Sequence, residues 1–210
     1  MKLSSRTFND GGLIPGRCAF CVKAPNGHVT LSLNLNPELN WSHAPVDTRS
    51  FVITCIDTDA PTRPDDVNQD GREVPAGLPR SEFVHWLMVD VPAGITQIAE
   101  GACSEGVTAK GKGKPAGPAG SRQSVNDYTG WFAGDGGMAG NYLGYDGPCP
   151  PWNDALVHHY NFTVYATGLE KCPVVENFTL KDLRTALNGQ VLSSASIIGR
   201  YSLNPRFRLV

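Results

Sequence analysis

Four stretches of the chain have the residue pattern of β-strands, and one of them, Ser50–Asp57, is apolar on both faces. Residues Ser50–Asp57 (SFVITCID) and Phe83–Val91 (FVHWLMVDV) are short, apolar and rich in β-branched or aromatic side chains. Residues His28–Asn36 and His159–Ala166 instead alternate apolar and polar positions, which is typical of half-buried strands. A strand that is apolar on both faces must be covered on both faces, so the pattern predicts layers packed on a β-sheet.

One stretch has the signals of a helix. Thr179 followed by Asp182 is typical of a helix start, Leu183 and Leu187 form an apolar stripe, and Gly189 is a natural stop. Strand patterns outnumber helix patterns along the chain. The sequence therefore predicts a mainly β (α+β) fold, an antiparallel β-sandwich with one or two flanking helices.

The chain length favours a single domain spanning residues 1–210. Residues 102–146 form a long glycine-rich insertion or loop in this prediction, and the GKGKPAG stretch within it lacks the spacing of a phosphate-binding P-loop. A flexible basic loop is the better interpretation of that stretch. Residues Asp66–Gly71 imitate the first half of a calcium loop, but Gly77 stands where the bidentate glutamate is needed, which favours a polar surface loop.

Charge and hydropathy limit the classes of partner. A formal net charge of -2 gives no general attraction to nucleic acid, and no apolar run is long enough to predict integral membrane association. The first residues lack the apolar core of a signal peptide. From these observations we expect a cytoplasmic protein.

The six cysteines are scattered, and only Cys18 and Cys21 have a close spacing. A structural zinc site needs a second such pair, and a redox pair is expected at a helix start rather than before a strand. We therefore expect six free thiols, no bound metal and no cofactor.

Four polar residues stand out because they lie within or at the ends of the predicted strands: Asp57, His85, His158 and Tyr160. A single histidine on an apolar strand is usually a hydrogen-bonded core residue. Four such groups on three strands favour a shared cavity, since each buried polar group needs a partner. Imidazole and phenol are donors, so such a cavity suits an oxyanion, namely a phosphate, a sulfate or a carboxylate.

Three blocks of sequence, with these residues, carry a family resemblance. They are Asp57–Pro61 (DTDAP), His85–Val89 (HWLMV), and Gly144–Pro151 (GYDGPCPP) followed by His158–Tyr160. Together and in this order they resemble the phosphatidylethanolamine-binding proteins, a family that includes the Raf kinase inhibitor protein and many bacterial members. The length of residues 102–146 is similar to the bacterial branch.

The resemblance implies a β-sandwich with a small pocket at one end that accepts phosphate groups. The predicted ligand-binding residues are Asp57, Asp59, His85, Gly147, Pro151, His158 and Tyr160. The implied partners are a phosphate-bearing small molecule or a phospholipid head group, and a protein kinase or protease if the protein is an inhibitor. A homodimer is a further prediction.

Two alternatives stay open at this point. Asp57, His85 and His158 are also the ligand types of a two-histidine, one-carboxylate metal site, and they could serve a hydrolase as acid and base. The chain also departs from the family pattern, because Thr58 replaces a proline, Asn153 stands where glycine is common, and one extra residue lies between Pro151 and His158.

Overall fold

The structure is a computed structural model that describes residues 1–207. Four of its strands are long, with 10–13 residues, the other strands have two to four residues, and there are two α-helices. In chain order they are β1 (Lys2–Ser4), β2 (Cys21–Lys23), β3 (Val29–Leu31), β4 (Leu39–Ser42), β5 (Ser50–Pro61), β6 (Arg80–Pro92), β7 (Gln97–Ile98), β8 (Arg122–Gln123), α1 (Tyr128–Trp131), β9 (His158–Thr167), α2 (Leu180–Leu187) and β10 (Val191–Tyr201).

A five-stranded sheet in the order β10-β9-β5-β6-β8 forms the centre of the fold, and its strand pairs are antiparallel. The strands predicted at 50–57, 83–91 and 159–166 are confirmed as β5, β6 and β9, each longer than its pattern indicates. On one face of this sheet lies the main core, to which the β1-β4-β7 sheet contributes Leu39 and Trp41. The predicted mainly β, antiparallel fold is confirmed.

Helix α2 covers part of the other face of the central sheet. Its Leu183 and Leu187 pack in a second apolar cluster with Val52 of β5 and Leu87 of β6. The predicted start is confirmed, because Thr179 and Asp182 exchange side-chain and backbone hydrogen bonds as a capping box. The apolar character of β5 and β6 on both faces follows from this two-sided covering.

Strand β10 has no counterpart in the sequence prediction. Its residues, VLSSASIIGRY, place serine and alanine where an alternating strand would carry larger apolar side chains. The strand forms because it pairs with β9 from Val191 to Tyr201, so its partner rather than its own pattern determines it.

The prediction for residues 28–36 is wrong about which side chains are buried. Only Val29–Leu31 form a strand, and Leu31 and Leu33 are 56% and 59% exposed. Strand β3 pairs with β2 in a two-stranded sheet of its own, so its apolar positions have no layer to cover them. The buried residues are instead Asn34 and Asn36, and the backbone of Asn34 adopts a left-handed conformation with φ of 53°.

Within the stretch interpreted as a flexible basic loop, Lys112 is turned toward the protein interior. Its ammonium group lies 2.5 Å from Oδ1 of the buried Asp146, and its side chain is only 12% exposed. Next to it, Gly111 has φ of 84° and packs against the backbone of Asn141 at a distance that leaves no room for a Cβ atom. Residues 102–146 also contain β8 and α1.

A disulfide joins Cys21 of β2 to Cys149, with the two Cα atoms 5.0 Å apart. The expectation of six thiols is therefore wrong for this pair, because the fold brings together two cysteines that are 128 residues apart. The remaining four cysteines are free and buried. Disulfides persist mainly in oxidising compartments, so this bond does not agree with the cytoplasmic location expected from the sequence.

Along residues 1–207, no helix has both the length and the apolar character required to span a bilayer.

The disulfide should contribute measurably to the free energy of unfolding. Replacing Cys21 and Cys149 together by serine should lower the free energy of unfolding by about 2–5 kcal/mol, because the bond closes a long loop in the unfolded chain. Denaturant unfolding of the variant and of the oxidised wild type measures the difference. Alkylation of the denatured, unreduced protein should modify four cysteines, and modification of every cysteine would contradict the bond.

Candidate functional site

Two of the predicted site residues meet directly at one end of the central sheet. Asp57 of β5 is paired with Tyr160 of β9 in the strand register. Two residues earlier on β9, His158 therefore points to the same side, and its Nδ1 lies 2.7 Å from Oδ2 of Asp57. Both side chains are buried.

Two further residues, Asp154 and Arg80, complete a buried chain of charges. Nε2 of His158 lies 3.1 Å from Oδ2 of Asp154. Arg80 donates to both oxygens of the same carboxylate, over 2.6 Å and 2.9 Å. Both nitrogens of His158 are thus engaged by carboxylates, and the two acids are balanced by an imidazolium and a guanidinium.

Sequence reasoning missed Asp154 and Arg80. Asp154 lies four residues before His158 in a loop, and Arg80 lies 74 residues before Asp154. The available signal was an acid close to a predicted site histidine, but nothing in the strand patterns pairs it with the arginine.

The charges of this chain shift the pKa values of its members. Burial opposes the positive charge of His158, but the carboxylates of Asp57 and Asp154 outweigh it and raise the histidine pKa to about 9. Burial likewise opposes the charge of Asp154, whose pKa is nevertheless lowered by hydrogen bonds from His158 and Arg80. His158 is therefore an imidazolium at neutral pH.

His85 has the opposite character. Its Nδ1 lies 2.7 Å from the backbone carbonyl oxygen of Asp146, which can only accept, so Nδ1 carries the proton. Burial lowers the pKa of His85, an effect that the nearby Asp57 only partly opposes. His85 is therefore a neutral imidazole at rest, and its Nε2 has no hydrogen-bond partner among the contacts of the described residues.

Asp146 is held in place by three donors, which in turn positions His85. Asn34 and Lys112 both donate to its Oδ1, and Asn126 donates to Oδ2 over 2.9 Å. The backbone N–H of Asp146 also donates to the carbonyl of His85. These contacts explain why Asn34 and Lys112 are buried.

Tyr160 carries a hydroxyl that has no hydrogen-bond partner among residues 1–207, although the atom is buried. Its ring centroid lies 5.1 Å from that of His85, at an angle of 70°. Burial raises the tyrosine pKa well above its ordinary value, so the group is a neutral O–H donor. A buried donor without a partner is unusual and lowers the stability of the fold. This end of the sheet is therefore a candidate binding site.

The remaining predicted site residues, Gly147, Asp59 and Pro151, lie near these side chains. Gly147 and Asp59 form hydrogen bonds with other residues of the protein. Gly147 donates to Asn34, and its carbonyl accepts from Tyr128. The carboxylate of Asp59 accepts hydrogen bonds from His159, and the backbone N–H of Asp59 donates to the carboxylate of Asp57.

Pro151 is buried. Gly147 also passes so close to the carbonyl of Cys18 that a side chain would collide with it.

Residues 66–72, which include the stretch that imitates a calcium loop, surround the side chain of Asn153. The amide nitrogen of Asn153 donates to the carbonyls of Asp66, Gln69 and Arg72, and its Oδ1 accepts from the N–H of Asn68. The prediction of a polar surface loop agrees with this arrangement, in which one amide group binds the inward-facing carbonyls.

The metal-site alternative finds no support in the geometry. Asp57 and His158 bond to each other instead of converging on a common point with His85. Over the part of the chain described, 1–207, no three side chains of His, Cys, Asp or Glu are arranged to hold a metal ion.

Comparison with known proteins agrees with the fold and the site sequence. Residues 4–202 match the family model described as phosphatidylethanolamine-binding protein. The chain belongs to the phosphatidylethanolamine-binding protein family. A relative within this family, the UPF0098 protein YbhB of Escherichia coli, is 31% identical over 202 residues, which cover 96% of this chain and 100% of that protein.

Solved structures show the same relationship. The crystal structure of YbcL of Escherichia coli, described as a new member of the mammalian phosphatidylethanolamine-binding protein family, matches with a TM-score of 0.65 and 28% identity. The match covers 96% of this chain and 97% of that one. A homologue from Chlamydia trachomatis, at 22% identity and a TM-score of 0.62, shares the fold. The family resemblance drawn from the sequence is confirmed.

Two adjacent histidines of this family member should differ strongly in their effect on stability. His158→Gln should lower the free energy of unfolding by about 3–5 kcal/mol, because it leaves two buried carboxylates without their shared cation. His159→Gln is the matched control, since its side chain is 46% exposed and its pair with Asp59 should contribute at most about 1 kcal/mol. Denaturant unfolding measures both, and equal losses would contradict the role of the buried chain.

The raised pKa of His158 also predicts a pH dependence with a definite sign. A folded-state pKa above the unfolded value of about 6.5 gives stability that is full below that pH and is lost as pH rises through about 9. Unfolding measured from about pH 6 to pH 10 should show the difference between wild type and His158→Gln shrinking with rising pH. A constant difference would show that the imidazolium is not the stabilising form.

Proposed function

We propose that the protein binds an oxyanion, such as the phosphate group of a small molecule or of a phospholipid head group, at the side chains of Tyr160 and His85. The observation that carries the proposal is the buried hydroxyl of Tyr160, which has no partner in the described chain and lies beside a histidine with one free nitrogen. Family membership supports a ligand-binding or regulatory protein over an enzyme.

The two groups supply complementary contacts to an anion. Tyr160 donates its hydroxyl proton without losing an existing hydrogen bond. His85 donates from Nε2 only when it is protonated, and the negative charge of a bound anion favours that form. Binding therefore takes up a proton at His85, and affinity rises as pH falls.

His158 has a positioning role in this proposal. Its nitrogens already bond to Asp57 and Asp154, so neither is free to donate to a ligand. The charges of His158 and Arg80 offset those of the two acids, which leaves an approaching anion with little net repulsion. His158 thus reduces the electrostatic repulsion between the carboxylate of Asp57 and an anion bound at Tyr160.

Access to the site requires movement, because Tyr160 and His85 are 0% and 2% exposed. Phe83 packs 5.1 Å from the ring of His85 and is itself only partly buried. We assign to Phe83 the role of a cover that turns aside when the ligand enters.

A protein kinase or protease partner stays a prediction.

Anion binding is best tested with sulfate, whose charge is constant over the range in which His85 titrates. Calorimetric titration should show affinity increasing from about pH 8 to pH 6. Tyr160→Phe should weaken binding roughly 10- to 150-fold, the loss of one hydrogen bond to a charged group. It should leave the melting temperature unchanged or higher, because the lost hydroxyl has no partner in the folded chain.

The matched control is Tyr201→Phe. Its hydroxyl is hydrogen-bonded to the carbonyl of Cys21, so this variant should lose stability and keep its affinity for sulfate. Phenyl phosphate and a dispersed phospholipid, titrated in parallel, separate a free phosphate ligand from a lipid head group. Unchanged sulfate affinity in Tyr160→Phe would overturn the proposal.

A further inference from the structure

A cavity lies on the opposite face of the central sheet from the side chains of Tyr160 and His85. It has a volume of about 720 Å³, within the range of small-molecule sites. Leu183 and Leu187 of α2 form one wall, and Val191 at the start of β10 contributes another. The cavity is thus an apolar space between a helix and the sheet, outside the anion site.

Strand register fixes which β5 and β9 side chains face this cavity. Thr54 is paired with Thr163, and Val52 is paired with Tyr165, so these four side chains share one face of the sheet. Val52 packs in the cluster under α2, which identifies that face as the helix side. Thr54 and Tyr165 both line the cavity.

Thr54 carries an unpaired polar atom at this place. The residue is 2% exposed, and its hydroxyl has no partner within the described part of the protein. The neighbouring Thr163 differs, because its hydroxyl lies 2.8 Å from that of Ser196. A buried hydroxyl without a partner destabilises the fold relative to an isosteric valine, so it indicates a hydrogen bond made by something else.

Two positively charged side chains, Lys181 and Arg184, line the cavity. Arg184 is paired with both oxygens of Glu82, at 2.6 Å and 2.7 Å. The ammonium group of Lys181 makes no hydrogen bond or ion pair in the part of the chain described, and the residue is exposed at the rim. The cavity therefore combines apolar side chains, one buried donor and an exposed lysine.

We propose that this cavity binds a small amphipathic carboxylate that carries a second oxygen at its far end. The carboxylate pairs with Lys181 at the rim, the apolar body packs against Leu183, Leu187 and Val191, and the second oxygen accepts a hydrogen bond from Thr54. Hydroxy acids with an aliphatic or aromatic body have this chemistry.

The test uses ω-hydroxy carboxylates of about six to ten carbons and the unsubstituted acids of the same lengths, titrated into the full chain by calorimetry. The wild type should bind at least one hydroxy acid about tenfold or more tightly than its unsubstituted counterpart. Thr54→Val should remove that preference, and its melting temperature should equal or exceed that of the wild type. Lys181→Gln should weaken both ligand series about equally.

Thr163→Val is the matched control on the same face of the sheet. It breaks a satisfied hydrogen bond, so it should lower the melting temperature and keep the preference for the hydroxy acid. Tyr160→Phe should also keep it, which separates this site from the anion site. Absence of binding by the wild type, or an unchanged preference in Thr54→Val, would overturn the proposal.

Discussion

The carboxylate of Asp154 is the contact on which the site end of the molecule depends. It accepts two hydrogen bonds from Arg80 and one contact from His158, so it connects the start of β6 to the start of β9. His158 in turn fixes Asp57 at the far end of β5. The charges of Asp57, Asp154 and His158 are buried and the side chain of Arg80 is 11% exposed, so each charge is tolerable only because the next one neutralises it. Loss of any member would leave its neighbours charged and unpaired.

Much of this architecture could be predicted from the sequence, because it depends on local patterns. Apolar runs identified β5 and β6, alternation identified β9, and a capping residue identified the start of α2. Three ordered blocks identified the family. The alternating pattern gave a wrong prediction at residues 28–36, because no second layer covers the leucines there. The buried side chains in this stretch are those of Asn34 and Asn36.

The site was only partly predictable for a different reason. Strand ends and side-chain type brought Asp57, His85, His158 and Tyr160 together, but they could not show how the nitrogens and oxygens pair. Arg80 and the disulfide depend on contacts between residues far apart in sequence, which no single-chain pattern records. The buried hydroxyls of Tyr160 and Thr54 have no partner in the described chain because of where all surrounding donors and acceptors lie, which no sequence pattern specifies.

The central position of β5 has a consequence for synthesis of the chain. Its first seven residues, SFVITCI, are apolar and uncharged and contain no proline, the composition of segments that pair readily with strands of other chains. Asp57 and its partner His158 are 101 residues apart. Because synthesis proceeds at roughly 5–20 residues per second, one edge of β5 stays without its partner strand β9 for about 5–20 s. The residues that place this strand at the centre of the folded sheet therefore make it an aggregation-prone segment of the nascent chain.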